Sequence, residues 1–278
     1  LPHFNCISLD LPFHGQAKDI EVTNFEETAE YLAQQIKSAV KNEPYFLVGY
    51  SLGGRIALYY ALQAQVGRSN LQGVILEGAN LGLKTGEEKQ ARFQQDFAWA
   101  QRFMQESPEN VLNDWYQQPV FSHLTTEERL QLVEKRKSNC GENIGKMLLA
   151  TSLSKQPDFS EKVRLISLPF FYFCGERDHK FQVLAKENQI NLVTIPSAGH
   201  NSHLENSKYL FITGTSMLIK LAWEPKIKHN GEVPLVSDLR FIINRFWFKL
   251  QKPLSNDSQP KSFQLATKAK IIGAVLDN

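Results

Sequence analysis

The chain has 278 residues, of which 42% are apolar and 22% are charged, and its net charge at pH 7 is +2. A chain of this length and composition can bury a large core without disulfide bonds or a structural metal. Cys6, Cys140 and Cys174 form no CxxC pair, no run of 18 apolar residues occurs, and no signal-peptide pattern opens the chain. We therefore predict a soluble, cytoplasmic protein that has neither a cysteine metal site nor a membrane span.

Apolar, strand-like runs alternate with helix-like stretches as far as residue 200. The strand candidates, in chain order, are "FNCISLDLP", "YFLVGY", "LQGVILEGAN", "LPFFYFCGERD" and "NLVTIPSAGH". "NFEETAEYLAQQIKSAVKN" precedes the second strand and is typical of a helix, because Asn24 can cap it and Glu27 follows three residues later. The alternation predicts an α/β fold, with a mostly parallel sheet that carries helices on both faces.

Residues 81–164 interrupt this alternation with a long, charged stretch that contains no convincing strand. A helical insertion between two strands of such a sheet lies at its carboxyl edge, where ligands bind, and we call residues 81–164 the cap. The alternative is a helical subdomain that only adds core. The core domain would then comprise residues 1–80 and 165–207, followed by a tail at residues 208–278.

The tail differs from the rest of the chain in charge. Residues 208–278 hold 11 basic and 5 acidic side chains, a net charge of +6, which leaves −4 for the remainder. Residues 207–228 are rich in β-branched residues and are predicted to be poorly helical. One hypothesis is that the tail comes from out-of-frame coding or a fusion. In the alternative, residues 239–250, "LRFIINRFWFKL", form a basic amphipathic helix that binds anionic membranes.

A single serine lies between a predicted strand and a predicted helix. Gly49, Ser51 and Gly53 form the pattern G-x-S-x-G, which in this context predicts a sharp turn that lifts the hydroxyl above the sheet. At the start of a helix, backbone N–H groups also favour a developing negative charge. The other interpretation is a tight turn with a capping serine.

A nucleophilic serine needs a base, and that base needs a carboxylate to orient it. Asp178 and His200 follow the last two predicted strands in the chain order expected for this arrangement. We therefore predict His200 as the base and Asp178 as its orienting acid. His203 lies close by in sequence, and His14 follows the first strand and is either a pocket residue or a hydrogen-bonded loop residue.

Five stretches together resemble the MenH family: "LPFHG", "VGYSLGGR", "DWYQQPVF", "FYFCGERDHKF" and "AGHNSHLEN". Its members are the 2-succinyl-6-hydroxy-2,4-cyclohexadiene-1-carboxylate synthases of menaquinone (vitamin K2) biosynthesis, which have the α/β-hydrolase fold. The resemblance covers about residues 1–207. It implies a lyase that eliminates pyruvate from 2-succinyl-5-enolpyruvyl-6-hydroxy-3-cyclohexene-1-carboxylate, with no cofactor and no metal.

The resemblance also implies roles for individual side chains. Ser51 would abstract the proton, activated by His200 and Asp178. The substrate is a small tricarboxylate, and guanidinium groups pair well with carboxylates. The matching arginines are Arg55, Arg92 and Arg136, each of which could instead be a solvated surface charge.

An apolar wall and an oxyanion hole complete the implied site. The wall residues are Trp115, Tyr116 and Phe121, which could equally be cap core. Tyr50 and Leu52 flank the serine and could donate backbone N–H groups, Leu52 being the usual donor in this fold. We expect no nucleic-acid partner and no membrane contact, and the sequence does not give the oligomeric state.

Three features depart from the family pattern. Phe13 stands where glycine is usual, in a loop that we expect to need a positive φ. The family has strands and an oxyanion loop before the position of Leu1, so we expect N-terminal strands to be missing from the sheet. The family pattern also stops at Asn206. Two alternative functions therefore remain: a serine esterase or thioesterase with the same triad, and a truncated, inactive chain.

Overall fold

The computed structural model describes residues 5–64, 68–230 and 270–274. Within these ranges the strands are β1 (Asn5–Leu9), β2 (Tyr45–Tyr50), β3 (Leu71–Glu77), β4 (Phe170–Gly175), β5 (Leu192–Ile195) and β6 (Lys270–Ala274). The helices are α1 (Phe25–Val40), α2 (Ser51–Leu62), α3 (Gly86–Gln105), α4 (Pro108–Trp115), α5 (Thr126–Arg136), α6 (Gly141–Ala150), α7 (Ser160–Arg164), α8 (His179–Glu187), α9 (Ser202–Glu205) and α10 (Ser207–Asn230).

All six strands form one parallel sheet in the order β1-β6-β2-β3-β4-β5. The predicted α/β class with a parallel sheet is confirmed. Because the strands are parallel, their carboxyl ends share one edge, and the residues that follow β2, β3, β4 and β5 meet there. This edge brings distant parts of the sequence into a single site.

Local sequence accounts for the first helix. The Asn24 side chain accepts a hydrogen bond from the backbone N–H of Glu27, which caps α1 as the sequence predicts. The apolar residues at helical spacing are buried against the sheet, and they include Phe25, Leu32 and Ile36. The helix therefore forms where a capping signal coincides with an apolar stripe that the sheet can cover.

Alternate strand residues pack into two separate layers, as strand geometry requires. Leu47 of β2 belongs to the larger cluster with α1 and α2, whereas Phe46 belongs to a second cluster with Ile75 and Phe173. Leu218 of α10 is buried in that second cluster. Helices thus cover both faces of the sheet.

The prediction that residues 207–228 are poorly helical is wrong. They lie in α10, and the side chains of Leu210, Met217 and Leu218 pack on the sheet. Burial of this apolar face outweighs the weak helix propensity of the β-branched residues, because tertiary packing supplies most of the stability of helices in proteins. The other tail segment singled out above, residues 239–250, lies outside the described residues.

Helices α3 to α7 and short 3-10 turns fill the chain between β3 and β4. Capping boxes begin two of these helices, with Thr85 and Glu88 at α3 and Thr125 and Glu128 at α5. The cap has its own apolar cluster, which includes Phe103, Leu112, Tyr116, Phe121 and Val133. The cap therefore has an apolar core of its own, while other cap residues, such as Met147 and Phe159, pack in the main core.

Phe13 adopts a φ of 67°, so the loop after β1 does have the left-handed conformation that favours glycine. Its side chain is buried in the main core, which offsets the cost of that backbone conformation. Asn143 of α6 donates hydrogen bonds to the carbonyls of Phe13 and Lys18 at 3.0 Å each. These hydrogen bonds therefore connect the cap to the loop that contains Phe13.

The tail strand β6 hydrogen-bonds to β1 on one side and to β2 on the other. In the described part of the sheet, β6 is the only neighbour of β1. Deleting residues 270–278 should leave two strand edges unpaired and lower the Tm by roughly 6–12 °C, equivalent to about 3 kcal/mol. Thermal unfolding followed by circular dichroism measures this, with deletion of residues 275–278 alone as the control. An unchanged Tm after the longer deletion would mean that β6 contributes nothing to the sheet.

None of the helices within the described ranges is long and apolar enough to cross a bilayer.

Candidate active site

Ser51 lies at the junction of β2 and α2, and its φ of 47° marks a sharp strand-to-helix turn. Such a turn requires close backbone approach: a Cβ on Gly49 would lie 2.6 Å from the Cα of Gly54. Only glycine fits at this position, so the turn depends on Gly49 and on the following helix. The serine hydroxyl is thereby presented at the carboxyl edge of the sheet, at the amino end of α2.

The structure brings together the three residues of the predicted triad. The distance from His200 Nδ1 to Asp178 Oδ2 is 2.7 Å, and that from His200 Nε2 to Ser51 Oγ is 3.3 Å. The carboxylate fixes the tautomer in which Nδ1 carries the proton, which leaves Nε2 able to accept the proton of the serine. Both His200 and Asp178 are only 4% exposed, so their hydrogen bond is shielded from water.

Aromatic rings enclose the imidazole of His200. The Phe181 ring stacks on it at 5.0 Å, the Phe121 ring meets it edge-on at 5.9 Å, and the Tyr50 ring lies 5.3 Å away. These contacts restrict the rotation of the imidazole and exclude water from it. Phe121 comes from the cap, so both the cap and the core shape the site.

Arg55 is buried, and its Nη1 donates a hydrogen bond to the Thr151 carbonyl at 2.9 Å. Burial, together with the nearby charge of Arg92, lowers the pKa of Arg55 to about 9, an effect that Asp96 opposes. The guanidinium remains mostly charged at neutral pH. For Arg55, the interpretation as a solvated surface charge is therefore wrong.

Arg92 is tied to a buried carboxylate. Its Nε donates to Asp96 Oδ1 at 2.7 Å, and the Arg92 side chain is 28% exposed. Asp96 also accepts hydrogen bonds from the Ser152 hydroxyl and the Leu153 backbone, at 2.7 and 3.3 Å. Arg55, Arg92 and Asp96 thus form one charged cluster between α2, α3 and the end of α6.

The remaining predicted residues of the cap lie in two environments. The Arg136 guanidinium donates a hydrogen bond to the Tyr116 hydroxyl, and its central carbon lies 5.9 Å from the centre of the Tyr116 ring. That ring in turn packs against the Phe121 ring, with 5.0 Å between the ring centres. Trp115 packs instead on Trp99 and Phe103, at 5.1 and 5.8 Å. These contacts place Trp115 in the core of the cap, whereas Phe121 borders the triad.

Comparisons with known proteins support the motif-based assignment. The α/β hydrolase fold family matches residues 1–207. A protein of Haemophilus influenzae, provisionally named 2-succinyl-6-hydroxy-2,4-cyclohexadiene-1-carboxylate synthase, is 94% identical over 209 residues, 75% of this chain and 85% of that protein. The chain belongs to this synthase family, on the α/β hydrolase fold. The resemblance inferred from the five sequence stretches is confirmed.

This chain is also similar to two other members of the synthase family. The synthase of Yersinia pseudotuberculosis is 46% identical over 203 residues, which are 73% of this chain and 74% of that protein. The solved structure of MenH from S. aureus matches with a TM-score of 0.69 at 28% identity, covering 76% of this chain and 82% of the other. The family assignment thus has support from both sequence and structure.

Beside the predicted triad lies a hydrogen-bonded network that the sequence of this chain did not predict. The Tyr50 hydroxyl donates to the Asn201 side-chain oxygen. Burial first, and then the charge of Glu77, raise the pKa of Tyr50 well above its usual value. The hydroxyl therefore stays protonated, and its hydrogen bond holds Asn201, the residue that follows His200. This side-chain role differs from the backbone role predicted for Tyr50.

Glu77, at the end of β3, anchors the same segment. It accepts hydrogen bonds from the Ser202 hydroxyl at 2.6 Å and from the backbone and ring nitrogens of His203 at 2.9 and 3.0 Å. His203 therefore pairs with Glu77 and takes no part in the triad. The available sequence signal was an acid at the carboxyl end of a buried strand, in "VILEGAN".

Other polar residues near the sheet edge have structural contacts. His14 bonds to the Pro12 carbonyl at 3.0 Å, and burial lowers the pKa of this imidazole. Cys174 is buried with its Sγ 3.5 Å from the Asp178 carbonyl, and burial raises the pKa of its thiol. Among the described residues, no group of three or more His, Cys, Asp or Glu side chains is arranged to hold a metal ion.

Proposed function

We propose that this chain converts 2-succinyl-5-enolpyruvyl-6-hydroxy-3-cyclohexene-1-carboxylate into 2-succinyl-6-hydroxy-2,4-cyclohexadiene-1-carboxylate and pyruvate. The observation that carries the proposal is the hydrogen-bonded line from Ser51 through His200 to Asp178, at the amino end of the helix that also carries the buried Arg55. Family membership supports the same reaction, because the names of the related synthases state its product.

In the proposed mechanism, Ser51 is the base and His200 activates it. As His200 Nε2 takes the hydroxyl proton, the serine oxygen removes the acidic proton beside the succinyl carbonyl. The electron pair of the broken C–H bond shifts through the ring double bond and breaks the bond to the enolpyruvyl oxygen. The departing enolpyruvate takes up a proton and becomes pyruvate, so protons and electrons balance without a redox cofactor.

Negative charge develops on the succinyl carbonyl oxygen during proton removal. The backbone N–H of Leu52 belongs to the first turn of α2, where N–H groups have no acceptor within the helix. This N–H is our proposed oxyanion donor, aided by the positive end of the helix dipole.

Three cationic side chains match the three carboxylates of the proposed substrate. Arg55 and Arg92 lie in one cluster, and Arg136 lies on the Tyr116 side near Phe121. In a site shielded from water, guanidinium groups bind carboxylates through charge-assisted hydrogen bonds. An esterase for neutral acyl groups would gain nothing from this placement of charge.

The proposal is tested by assaying the purified full chain with two substrates. Pyruvate release from the enolpyruvyl substrate is followed with lactate dehydrogenase and NADH, and hydrolysis of p-nitrophenyl acetate is followed in parallel. We expect stoichiometric pyruvate release and a much lower kcat/KM for the ester. Efficient ester hydrolysis without pyruvate release would favour the esterase interpretation, and loss of both activities in a folded chain would favour the inactive one.

A further prediction concerns Arg55. Replacing it with methionine keeps most of the side-chain volume but removes a buried charge, and should lower kcat/KM for the tricarboxylate about 10- to 100-fold. KM should rise and kcat should fall, because the charge serves binding and the transition state together. The matched control is Arg102→Met, which removes a cap arginine paired with Glu106 and Asp114. Equal effects of the two substitutions would argue against a substrate role for Arg55.

A further inference from the structure

The carboxylate of Glu205 holds both residues that flank His200. Glu205 Oε2 accepts the backbone N–H of Gly199 at 2.7 Å, and Oε1 accepts the backbone N–H of Asn201 at 3.1 Å. A single carboxylate therefore fixes the main chain immediately before and after the imidazole.

A third donor reaches the same carboxylate from the cap. His123 Nε2 lies 2.9 Å from Glu205 Oε1, and the two side chains are 7% and 15% exposed. Because a carboxylate only accepts hydrogen bonds, His123 must carry a proton on Nε2. The contact joins residues 82 positions apart and links the cap to the loop that carries His200.

The backbone at residue 199 is built to admit the His123 ring. A Cβ at Gly199 would overlap Cδ2, Nε2 and Cε1 of that ring, so only glycine permits the contact. His123 also follows Phe121, whose ring contacts the His200 imidazole. The cap thus touches the His200 loop twice within three residues, once through the Phe121 ring and once through the hydrogen bond of His123 to Glu205.

We infer that Glu205 and His123 are positioning residues for His200, and that through them the placement of the cap sets the alignment of His200 with Ser51. The inference builds on the proposed triad but not on the identity of the substrate. The 3.3 Å distance from His200 Nε2 to Ser51 Oγ is sensitive to small shifts of the loop. A misplacement of about 1 Å can cost 10²-fold in rate.

Glu205→Gln is the first test. The amide replaces one acceptor oxygen with an N–H donor, which must then face one of the three N–H groups that Glu205 now binds. We expect kcat to fall about 10- to 100-fold while KM changes less than about 3-fold. The control is Glu106→Gln, which alters a cap carboxylate that pairs with Arg102 on the surface.

A second readout reports on Ser51 without the lyase substrate. A fluorophosphonate reacts when the serine oxygen attacks phosphorus and fluoride leaves, a step that His200 assists by taking the hydroxyl proton. Labelling of Ser51, followed by mass spectrometry, should slow in Glu205→Gln by a factor similar to the fall in kcat. If wild-type chain is labelled but releases no pyruvate, the lyase proposal fails, and the labelling rates still test the positioning inference.

Variants of His123 test the cap side of the contact. His123→Leu removes the donor and should reproduce most of the Glu205→Gln effect, whereas His123→Gln keeps an N–H and should recover part of the rate. Because both residues act through the same carboxylate, the double variant Glu205→Gln/His123→Leu should be little slower than Glu205→Gln alone. Thermal unfolding of each variant identifies any that does not fold.

Two results would overturn the inference. The first is a folded Glu205→Gln variant with unchanged kcat and labelling rate. The second is a set of His123 variants that lower the Tm without slowing labelling, since that pattern would assign the contact to stability alone.

Discussion

Replacing Ser51 with alanine should lower pyruvate release by at least about 10⁴-fold, because the proposed mechanism has no other group that removes the substrate proton. His200 would keep its hydrogen bond to Asp178 but would have no hydroxyl to activate. A spectrophotometric pyruvate assay over a range of enzyme concentrations measures the residual rate.

Two controls accompany this variant. Ser69→Ala removes an exposed hydroxyl in the turn before β3 and should leave the rate unchanged. The Tm of Ser51→Ala should lie within a few degrees of the wild-type value, because only one oxygen is lost. Pyruvate release by Ser51→Ala above about a tenth of the wild-type rate would assign the base to another residue.

Replacing Asp178 with asparagine should produce the second-largest effect, a fall in kcat of about 10⁴-fold, as in other triads. The asparagine amide does not fix the imidazole with its proton on Nδ1, so Nε2 is no longer held ready to accept the serine proton. The carboxylate is 2.7 Å from the ring and nearly fully buried, so water cannot replace it. Steady-state kinetics with saturating substrate give the change in kcat.

Asp158→Asn is the matched control for this change. Asp158 is exposed, and its carboxylate accepts a hydrogen bond from the backbone N–H of Ser160, the first residue of α7. Its replacement should cost at most about 1 kcal/mol of stability and no activity. If Asp178→Asn keeps its wild-type kcat, the carboxylate has only a structural role.

The chain order of the motifs predicts a triad, and the structure brings its three side chains within hydrogen-bonding distance. Ser51, Asp178 and His200 each follow a strand of the parallel sheet, and the carboxyl ends of such strands meet at one edge. Local apolar patterns identify the strands, so the meeting of three residues far apart in sequence follows from topology. The same reasoning predicted the fold class, which is confirmed.

The supporting network was not predictable in this way. Glu77, His123 and Glu205 are ordinary charged or polar residues in the sequence, and their importance comes only from partners many positions away. No local periodicity indicates which buried carboxylate will face which backbone N–H. Such contacts depend on how the cap docks on the core, and sequence patterns do not determine this.

The tail was the least predictable part of the chain. Helix α10 forms despite β-branched residues because an open apolar face of the sheet, around Phe46 and Phe173, lies beneath it. Strand β6 inserts between β1 and β2, a pairing with a sequence separation of more than 200 residues. The hypothesis that the tail has a foreign origin remains a prediction, which sequencing of the surrounding gene would test.

The claim that Ser51 carries the lyase reaction is tested most directly by stepwise labelling of the wild-type chain with a fluorophosphonate. At each step, mass spectrometry gives the fraction of Ser51 modified, and the coupled assay gives the remaining rate of pyruvate release. We predict that the rate falls in direct proportion to that fraction and reaches background when Ser51 is fully modified. Undiminished pyruvate release from a fully labelled chain would contradict it.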